Sequence, residues 1–208
     1  MKYVVTIIIT AVIVFLGATI FYKGLPNIKS ISETPKATAT PVPNEASASA
    51  SPIIETQTPS GPTTITGGGV LVFKAYILGV PSGWSSKKET APSGEIELDR
   101  LTLTKDNYKI TIYQAATGGA MCLYPGDAKI EGPSSSYDSY VDLTTASGEK
   151  LRKSTSGVNK SATICELQQG GWGQPTSFGH ISIEVPANGG TAAMTQEIDQ
   201  IIMSIKKV

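Results

Sequence analysis

The sequence contains few of the side chains that usually carry enzyme chemistry. Among its 208 residues there are one histidine and two cysteines. These are too few to form a closed zinc site, which takes four ligands of this kind. The phosphate-binding loop, the dinucleotide fingerprint, the zinc-protease motif and the Gly-x-Ser-x-Gly nucleophile turn are all absent. We therefore expect no metal, no cofactor and no catalytic residue.

An excess of charge of one sign is also lacking. Lys and Arg number 17 and Asp and Glu number 17, so the formal net charge is zero. Nucleic-acid binding calls for a clearly basic face, so nucleic acid is not an expected partner. One local group of basic residues is interpreted as the solvated rim of a hairpin: Lys150, Arg152, Lys153 and Lys160.

A hydrolase remains the alternative to a protein without catalytic activity. The single histidine, His180, begins a predicted strand, where a hydrogen-bonded structural histidine is more common than a catalytic base. No spacing selects two carboxylates as a glycosidase pair. The candidates are Glu95, Glu97, Asp99, Asp127, Glu131, Asp138 and Asp142. The alternative function is thus a cell-envelope hydrolase that acts on glycan or peptide.

Charge is completely missing from Tyr3 to Tyr22. A helix needs about 20 apolar residues to span a bilayer core, and this run is apolar on all sides. The run ends in bulky residues, Ile20–Tyr22, where a signal peptidase needs small ones. We predict an uncleaved transmembrane signal anchor over residues 1–23; a cleaved signal peptide and a buried core helix are the alternatives.

The charges that flank the predicted anchor and the sequence that follows it favour opposite orientations in the membrane. Lys2 precedes the apolar run, whereas Lys23, Lys29 and Lys36 follow it, which by charge alone slightly favours a cytoplasmic C-terminal part. The downstream composition and the two cysteines favour the opposite side. We predict a single-pass cell-membrane protein whose C-terminal domain is extracytoplasmic.

Residues 24–69 lack aromatic side chains and any regular spacing of apolar ones, and they are rich in Ser, Thr, Pro and Ala. Such a segment buries too little apolar surface to offset the entropy lost on ordering. The sequence therefore predicts a disordered linker that lifts the following domain off the membrane.

Residues 70–208 alternate polar and apolar residues in the manner of β-strands. Two hairpins are predicted, Leu101–Ile112 around the turn Lys105–Asn107 and Val141–Leu151 around the turn Ala146–Gly148. Further strands are predicted at Ala162–Leu167, at His180–Val185 and, as a central strand, at Val70–Leu78.

One amphipathic helix is predicted at the end of the chain, after the turn Asn188–Thr191. Its apolar residues fall on a single stripe, formed by Met194, Ile198, Ile201, Ile202 and Ile205. Lys206 and Lys207 are expected at its C-terminal end, where the helix dipole favours them. The predicted fold class is α+β: an antiparallel β-sheet covered by a C-terminal α-helix.

Two short motifs carry a family resemblance. Val80–Trp84 (VPSGW) follows an apolar strand, and the strand Ile183–Pro186 precedes the closing helix at Glu197–Lys206. In these motifs and in its layout the domain resembles PsbP-like domains. The resemblance implies an extracytoplasmic α/β/α module that binds partners or assists assembly, generally without catalysis. The helix that the family has between its early strands is not evident here, and no functional residue of the family can be mapped.

Cys122 and Cys165 would most simply form a disulfide in an oxidising compartment; the alternative is two buried thiols that never meet. A disulfide would hold two glycine-rich loops, 115–140 and 168–175, side by side. Their aromatic and amide side chains could then form a platform for a protein or a glycan. The platform would comprise Tyr124, Tyr137, Tyr140, Gln168, Gln169, Trp172 and Gln174.

The alternative for these loops is that the glycines only permit turns and that the aromatic residues close the end of the sheet. The absence of a catalytic set, together with the anchor, the linker and the paired cysteines, favours one function. We predict a membrane-anchored extracytoplasmic binding or assembly module without catalytic activity, with an envelope protein or glycan as its partner.

Overall fold

A computed structural model describes residues 53–57, 61–91, 97–128, 130–157, 161–187 and 189–208. The predicted signal anchor at 1–23 and most of the predicted linker at 24–69 lie outside these ranges. Within them, no helix is long and apolar enough to cross a membrane.

The described chain is mostly β-sheet with one C-terminal helix, which confirms the α+β class at this level. The strands are β1 (Ile53–Gln57), β2 (Thr63–Gly68), β3 (Ala75–Val80), β4 (Ser85–Thr90), β5 (Asp99–Lys105), β6 (Tyr108–Gln114), β7 (Ala120–Leu123), β8 (Ser134–Ser136), β9 (Ser139–Thr144), β10 (Lys150–Thr155), β11 (Ala162–Gln168), β12 (Gly171–Gln174), β13 (His180–Glu184) and β14 (Lys206–Lys207). The helix α1 is Ala192–Met203.

The strands form two sheets. The large, 11-stranded sheet has the order β1-β4-β5-β6-β13-β11-β12-β7-β8, and β10 pairs with β11 and β9 away from this path. Its described pairings are antiparallel except for β7 with β8, which is parallel. The small sheet has the order β14-β3-β2.

Two strands lie within the range predicted as a linker, so the folded part begins before residue 70. β1 pairs with β4, and β2 pairs with β3 from Thr63↔Val80 to Gly68↔Ala75. Ile65 of β2 packs against the hydrophobic core. Runs of Ile and Thr favour the extended backbone, and they are stable here because a neighbouring strand supplies the hydrogen bonds.

The two predicted hairpins are confirmed. β5 and β6 pair up to Lys105↔Tyr108, which leaves a two-residue turn where Asp106 takes a φ of 52°. Asp tolerates this left-handed conformation better than most residues. β9 and β10 form the second hairpin. In β5 and β6 alternate residues face the core, as a half-buried strand requires, whereas in β9 only Leu143 is buried.

The prediction of one strand over Val70–Leu78 is wrong at its beginning. Residues 70–73 form a turn in which the Phe73 amide donates to the Val70 carbonyl and Leu71 has a φ of 56°. The strand β3 begins only at Ala75 and is the central strand of the small sheet. The turn leaves Leu71 and Val72 exposed, whereas Tyr76 and Leu78 are buried.

Helix α1 begins where predicted. The Thr191 side chain caps it by accepting from the Met194 amide, and Ile198, Ile201 and Ile202 are buried. These residues share one core with Leu101, Leu103, Ile110 and Ile112 of β5 and β6. The helix therefore packs on one face of the large sheet and does not cover the opposite face.

The chain leaves the helix earlier than predicted. Ser204 donates from its hydroxyl to the Ile201 carbonyl and accepts from the Gly79 amide at 2.9 Å. These bonds turn the chain toward β3, with which Lys206 and Lys207 pair as β14. The two lysines therefore complete the small sheet rather than the last turn of the helix.

Candidate functional site

A disulfide joins Cys122 of β7 to Cys165 of β11, with 6.5 Å between the Cα atoms. The predicted pairing is thus present, and both residues are buried. β7 also pairs with β12 through Met121↔Gly173. The segments 115–140 and 168–175 therefore lie side by side, held by one covalent bond and by a strand ladder.

The registers place this disulfide on the sheet face opposite the helix. Leu151 belongs to the core that contains the helix, and the Lys153 ammonium contacts Asp199 of the helix. Arg152 lies between them in β10, so it faces the other side. It pairs directly with Cys165 of β11 and with Asp142 of β9, which share its face.

Three aromatic rings contact the Arg152 guanidinium, those of Tyr124, Tyr140 and Trp172, and Tyr137 packs against Tyr124; we call these five residues the Arg152 cluster. The guanidinium carbon lies 3.8 Å from the ring centre of Tyr140, 4.1 Å from that of Trp172 and 4.7 Å from that of Tyr124. The rings of Tyr124 and Tyr137 are 6.1 Å apart. The cation thus lies against three of these rings, whose faces attract it.

Polar contacts fix the cluster from two directions. The Arg152 Nε donates to Asp142 Oδ1 at 2.8 Å. The Tyr124 hydroxyl is 2.8 Å from Ser154 Oγ, and burial raises the pKa of this tyrosine. Tyr124 is buried, whereas Tyr140 is 43% exposed. Tyr124 is therefore the base of the cluster, and Tyr140 belongs to its surface.

The three glutamines predicted as hydrogen-bonding partners of the aromatic rings lie in different places. Gln174 Nε2 lies 3.4 Å from the Tyr137 hydroxyl and supports the cluster. Gln168 instead donates to the Pro175 carbonyl at 2.9 Å, away from the rings. Gln169, at a φ of 48°, forms the turn between β11 and β12. Of the predicted residues, the structure brings together Tyr124, Tyr137, Tyr140, Trp172 and Gln174.

The sequence does not predict Arg152 or Asp142 as members of the platform; it names Asp142 only among the candidate carboxylates of a hydrolase. The interpretation of Arg152 and Lys153 as an exposed rim is also wrong for Lys153, which is buried against the helix. The predicted hairpin contained a clue to Arg152. Successive side chains of a strand point to opposite faces, so Arg152 points away from the face on which its neighbour Leu151 joins the core. A register for β9 and β10 would have placed Arg152 beside Asp142.

A groove adjoins the cluster and has a volume of about 270 Å³. Leu167 and Trp172 form an apolar wall, and Leu167 is 44% exposed. Asp142, Thr144 and Lys150 supply polar groups on the groove lining. An apolar wall beside a few polar groups is the usual construction of a binding site.

His180 lies elsewhere in the large sheet, where it pairs with Tyr113. Its Nε2 is 2.8 Å from the Thr117 hydroxyl, and burial lowers the pKa of the imidazole, partly offset by a hydrogen bond with the Gly118 backbone. No carboxylate among the described residues hydrogen-bonds this ring. In the same part of the chain, no three His, Cys, Asp or Glu side chains are grouped so that they could hold a metal ion.

Comparisons with protein-family models, with curated proteins and with solved structures gave no match for this chain. The resemblance to PsbP-like domains stays a prediction. The function is therefore inferred from the geometry of the Arg152 cluster and its groove.

Proposed function

We propose that the protein is a membrane-tethered, extracytoplasmic binding module and that the Arg152 cluster with its groove is the binding surface. The observation that carries this proposal is the gathering of aromatic rings around one guanidinium beside an open groove. Trp, Tyr and Arg are the residue types that dominate the energetics of protein interfaces. The proposed partner is therefore a protein of the cell envelope.

The surface is organised before any partner arrives. Arg152 is held by three rings and by Asp142, and the disulfide anchors the segment that carries Tyr124. A side chain that is already fixed loses little conformational entropy on binding, which leaves more of the contact energy as affinity. This is the physical reason to assign the partner to this surface rather than to the exposed charged faces of the sheet.

The location of the module is proposed from the sequence and from the disulfide. The charge-free run at Tyr3–Tyr22 supports a membrane anchor, and a disulfide persists in an oxidising compartment. Because β1 begins at Ile53, the linker proposed here shortens to residues 24–52. A flexible chain of roughly 30 residues has an end-to-end distance of about 30 Å.

The test is site-specific photo-crosslinking in the full-length, membrane-bound protein. A photoreactive residue at Leu167 should give a discrete adduct with a partner protein, since Leu167 lines the groove. Trp172→Ala should remove the adduct, whereas Trp172→Phe should retain much of it. The control position is Met203, which is exposed at the end of the helix and should give no adduct.

Each other outcome has a definite meaning. Adducts of equal yield from both positions, or an adduct that survives Trp172→Ala, would refute the proposed surface. An adduct that is digested by glycosidases and not by proteases would replace the protein partner with a glycan. Formation of the disulfide in each variant serves as the check that the domain has folded.

A further inference from the structure

A second cavity, of about 400 Å³, shares no lining residue with the groove at Trp172. Its walls come from the turn before β3 and from the segment between β12 and β13. Val72, Phe73 and Pro175 supply apolar surface, while Glu166 and Gln168 supply polar groups. The volume suffices for one long side chain.

Glu166 is a buried carboxylate with only neutral hydrogen-bond donors. It is 7% exposed, and it accepts from the Ser177 amide, from the Ser177 hydroxyl at 3.1 Å and from Gln168 Nε2 at 3.4 Å. The other buried acid of the described chain, Asp99, has Lys88 Nζ at 3.4 Å. No Lys, Arg or His of the described ranges lies within ion-pair distance of Glu166.

The difference between Glu166 and Asp99 is that Glu166 has no cation of the described chain beside it. Acidic side chains are seldom buried without a cation, because a desolvated negative charge is costly unless it is paired. At Asp99 the chain itself supplies the cation. At Glu166 the described chain supplies three neutral donors and no cation, and the adjoining cavity has room for a cationic group from outside.

The apolar wall continues into an exposed turn that is held rigid. Val72 is 92% exposed, and Leu71 is also exposed. The backbone of this turn is pinned where the Val70 amide donates to Gln114 Oε1 at 3.0 Å and the Lys74 amide donates to the Ser177 carbonyl at 2.8 Å. Apolar side chains presented on a fixed backbone are a feature of contact surfaces.

We infer that this cavity binds a lysine or arginine side chain of a partner polypeptide. The cationic group reaches the Glu166 carboxylate, the aliphatic stem lies along Phe73 and Pro175, and an adjacent apolar residue of the partner packs on Val72. Lys and Arg suit such a site because they combine an apolar stem with a charged end. The inference goes beyond the proposed function and does not depend on the Arg152 cluster.

The test uses the full-length protein in detergent micelles and two matched peptides. The probe is N-acetyl-Leu-Arg-Leu-amide, and its control carries citrulline, which has nearly the same shape without the charge. Binding is followed by the NMR shift of the Ser177 amide, which donates to Glu166. The arginine peptide should bind about tenfold more tightly or better, as expected for a charged hydrogen-bonded pair.

Two variants make the test specific. Glu166→Gln should abolish the preference for arginine over citrulline. Val72→Ser, at a position too exposed to affect folding, should weaken the binding of the arginine peptide several-fold, because it removes the apolar contact without adding a charge. Equal affinity for both peptides, or a preference that survives Glu166→Gln, would overturn the inference. Binding of free arginine as tight as that of the peptide would overturn the polypeptide as the occupant.

Discussion

Tyr76 and Tyr108 are two buried tyrosines whose hydroxyl groups have different surroundings. The Tyr108 hydroxyl accepts from the Thr191 amide at 2.8 Å. The Tyr76 hydroxyl has no hydrogen-bond partner in the described chain, and burial, followed by the nearby Asp99, strongly raises its pKa. A buried donor without a partner loses its hydration and gains nothing in return. Tyr76 thus carries an energetic cost that Tyr108 does not.

Replacing each tyrosine with phenylalanine should separate the two cases. Tyr76→Phe should leave the free energy of unfolding unchanged or raise it, because the cost of the lone hydroxyl disappears. Tyr108→Phe should lower it by about 1 kcal/mol, because the Thr191 amide at the helix N-terminus loses its acceptor. Urea unfolding followed by tryptophan fluorescence measures both values. Equal losses in the two variants would show that the Tyr76 hydroxyl is satisfied.

At the scale of elements, one ionic contact ties helix α1 to the strands beneath it. Glu197 accepts from Lys105 Nζ at 2.7 Å and from Trp84 Nε1 at 2.8 Å. Burial acts to raise the pKa of Glu197, but these two hydrogen bonds outweigh it and hold the pKa below its ordinary value of 4.5. The ionised carboxylate therefore stabilises the packing of the helix above this pH.

The stability of the fold should depend on this contact as the pH falls. The unfolded chain binds the Glu197 proton more tightly, so the stabilisation is complete above about pH 4.5 and is lost as the pH falls through the folded-state pKa. Glu197→Gln should flatten this part of the stability profile. The matched control is Glu184→Gln, in an exposed ion pair with Lys109, which should change it little. Identical profiles of stability against pH for Glu197→Gln and Glu184→Gln would contradict this role of Glu197.

The elements that could be predicted are those whose signals are local. The hairpin at Asp99–Gln114 follows from alternating residues and a turn at Asp106, all within one short stretch. The turn at 70–73 could not be predicted, because the side chain that fixes it, Gln114, lies far along the sequence. A continuous apolar run does not reveal that two of its members point into solvent.

The same limit applies to the candidate site. The aromatic residues and cysteines could be singled out from their loops, and the disulfide brings the loops together as expected. The predicted β9–β10 hairpin could have placed Arg152 beside Asp142, but its position beside Cys165 depends on the register of a third strand, β11, which no local signal gives. The sequence places Gln168 on the platform because it lies in the same loop as Trp172, whereas its side chain lines the Glu166 cavity. The conformation of the backbone turn decides to which of two neighbouring surfaces a loop side chain contributes.

At the scale of the whole molecule, the disulfide closes a loop with a sequence separation of 43. The double variant Cys122→Ser/Cys165→Ser should lower the free energy of unfolding by about 2–4 kcal/mol. Hydrogen exchange should become faster in β7 and in β12, which lies between the bridged strands β7 and β11, while β5 and β6 serve as the internal control. Faster exchange throughout the core would show that the segment 115–140 is required for the fold itself.

The strand order also sets a direction for mechanical force. The chain enters the folded part at β1, the outer strand of the large sheet, and the order β1-β4-β5-β6-β13-β11 places Arg152 beyond the opposite end of this path. Six spacings of about 4.8 Å, the last of them from β11 to β10, make this distance about 29 Å. For the anchor and the partner proposed above, a pull between the membrane and the partner would run across the strands and enter through the β1–β4 ladder. In the proposed function the domain would therefore be a mechanical link that is loaded first at its tethered edge.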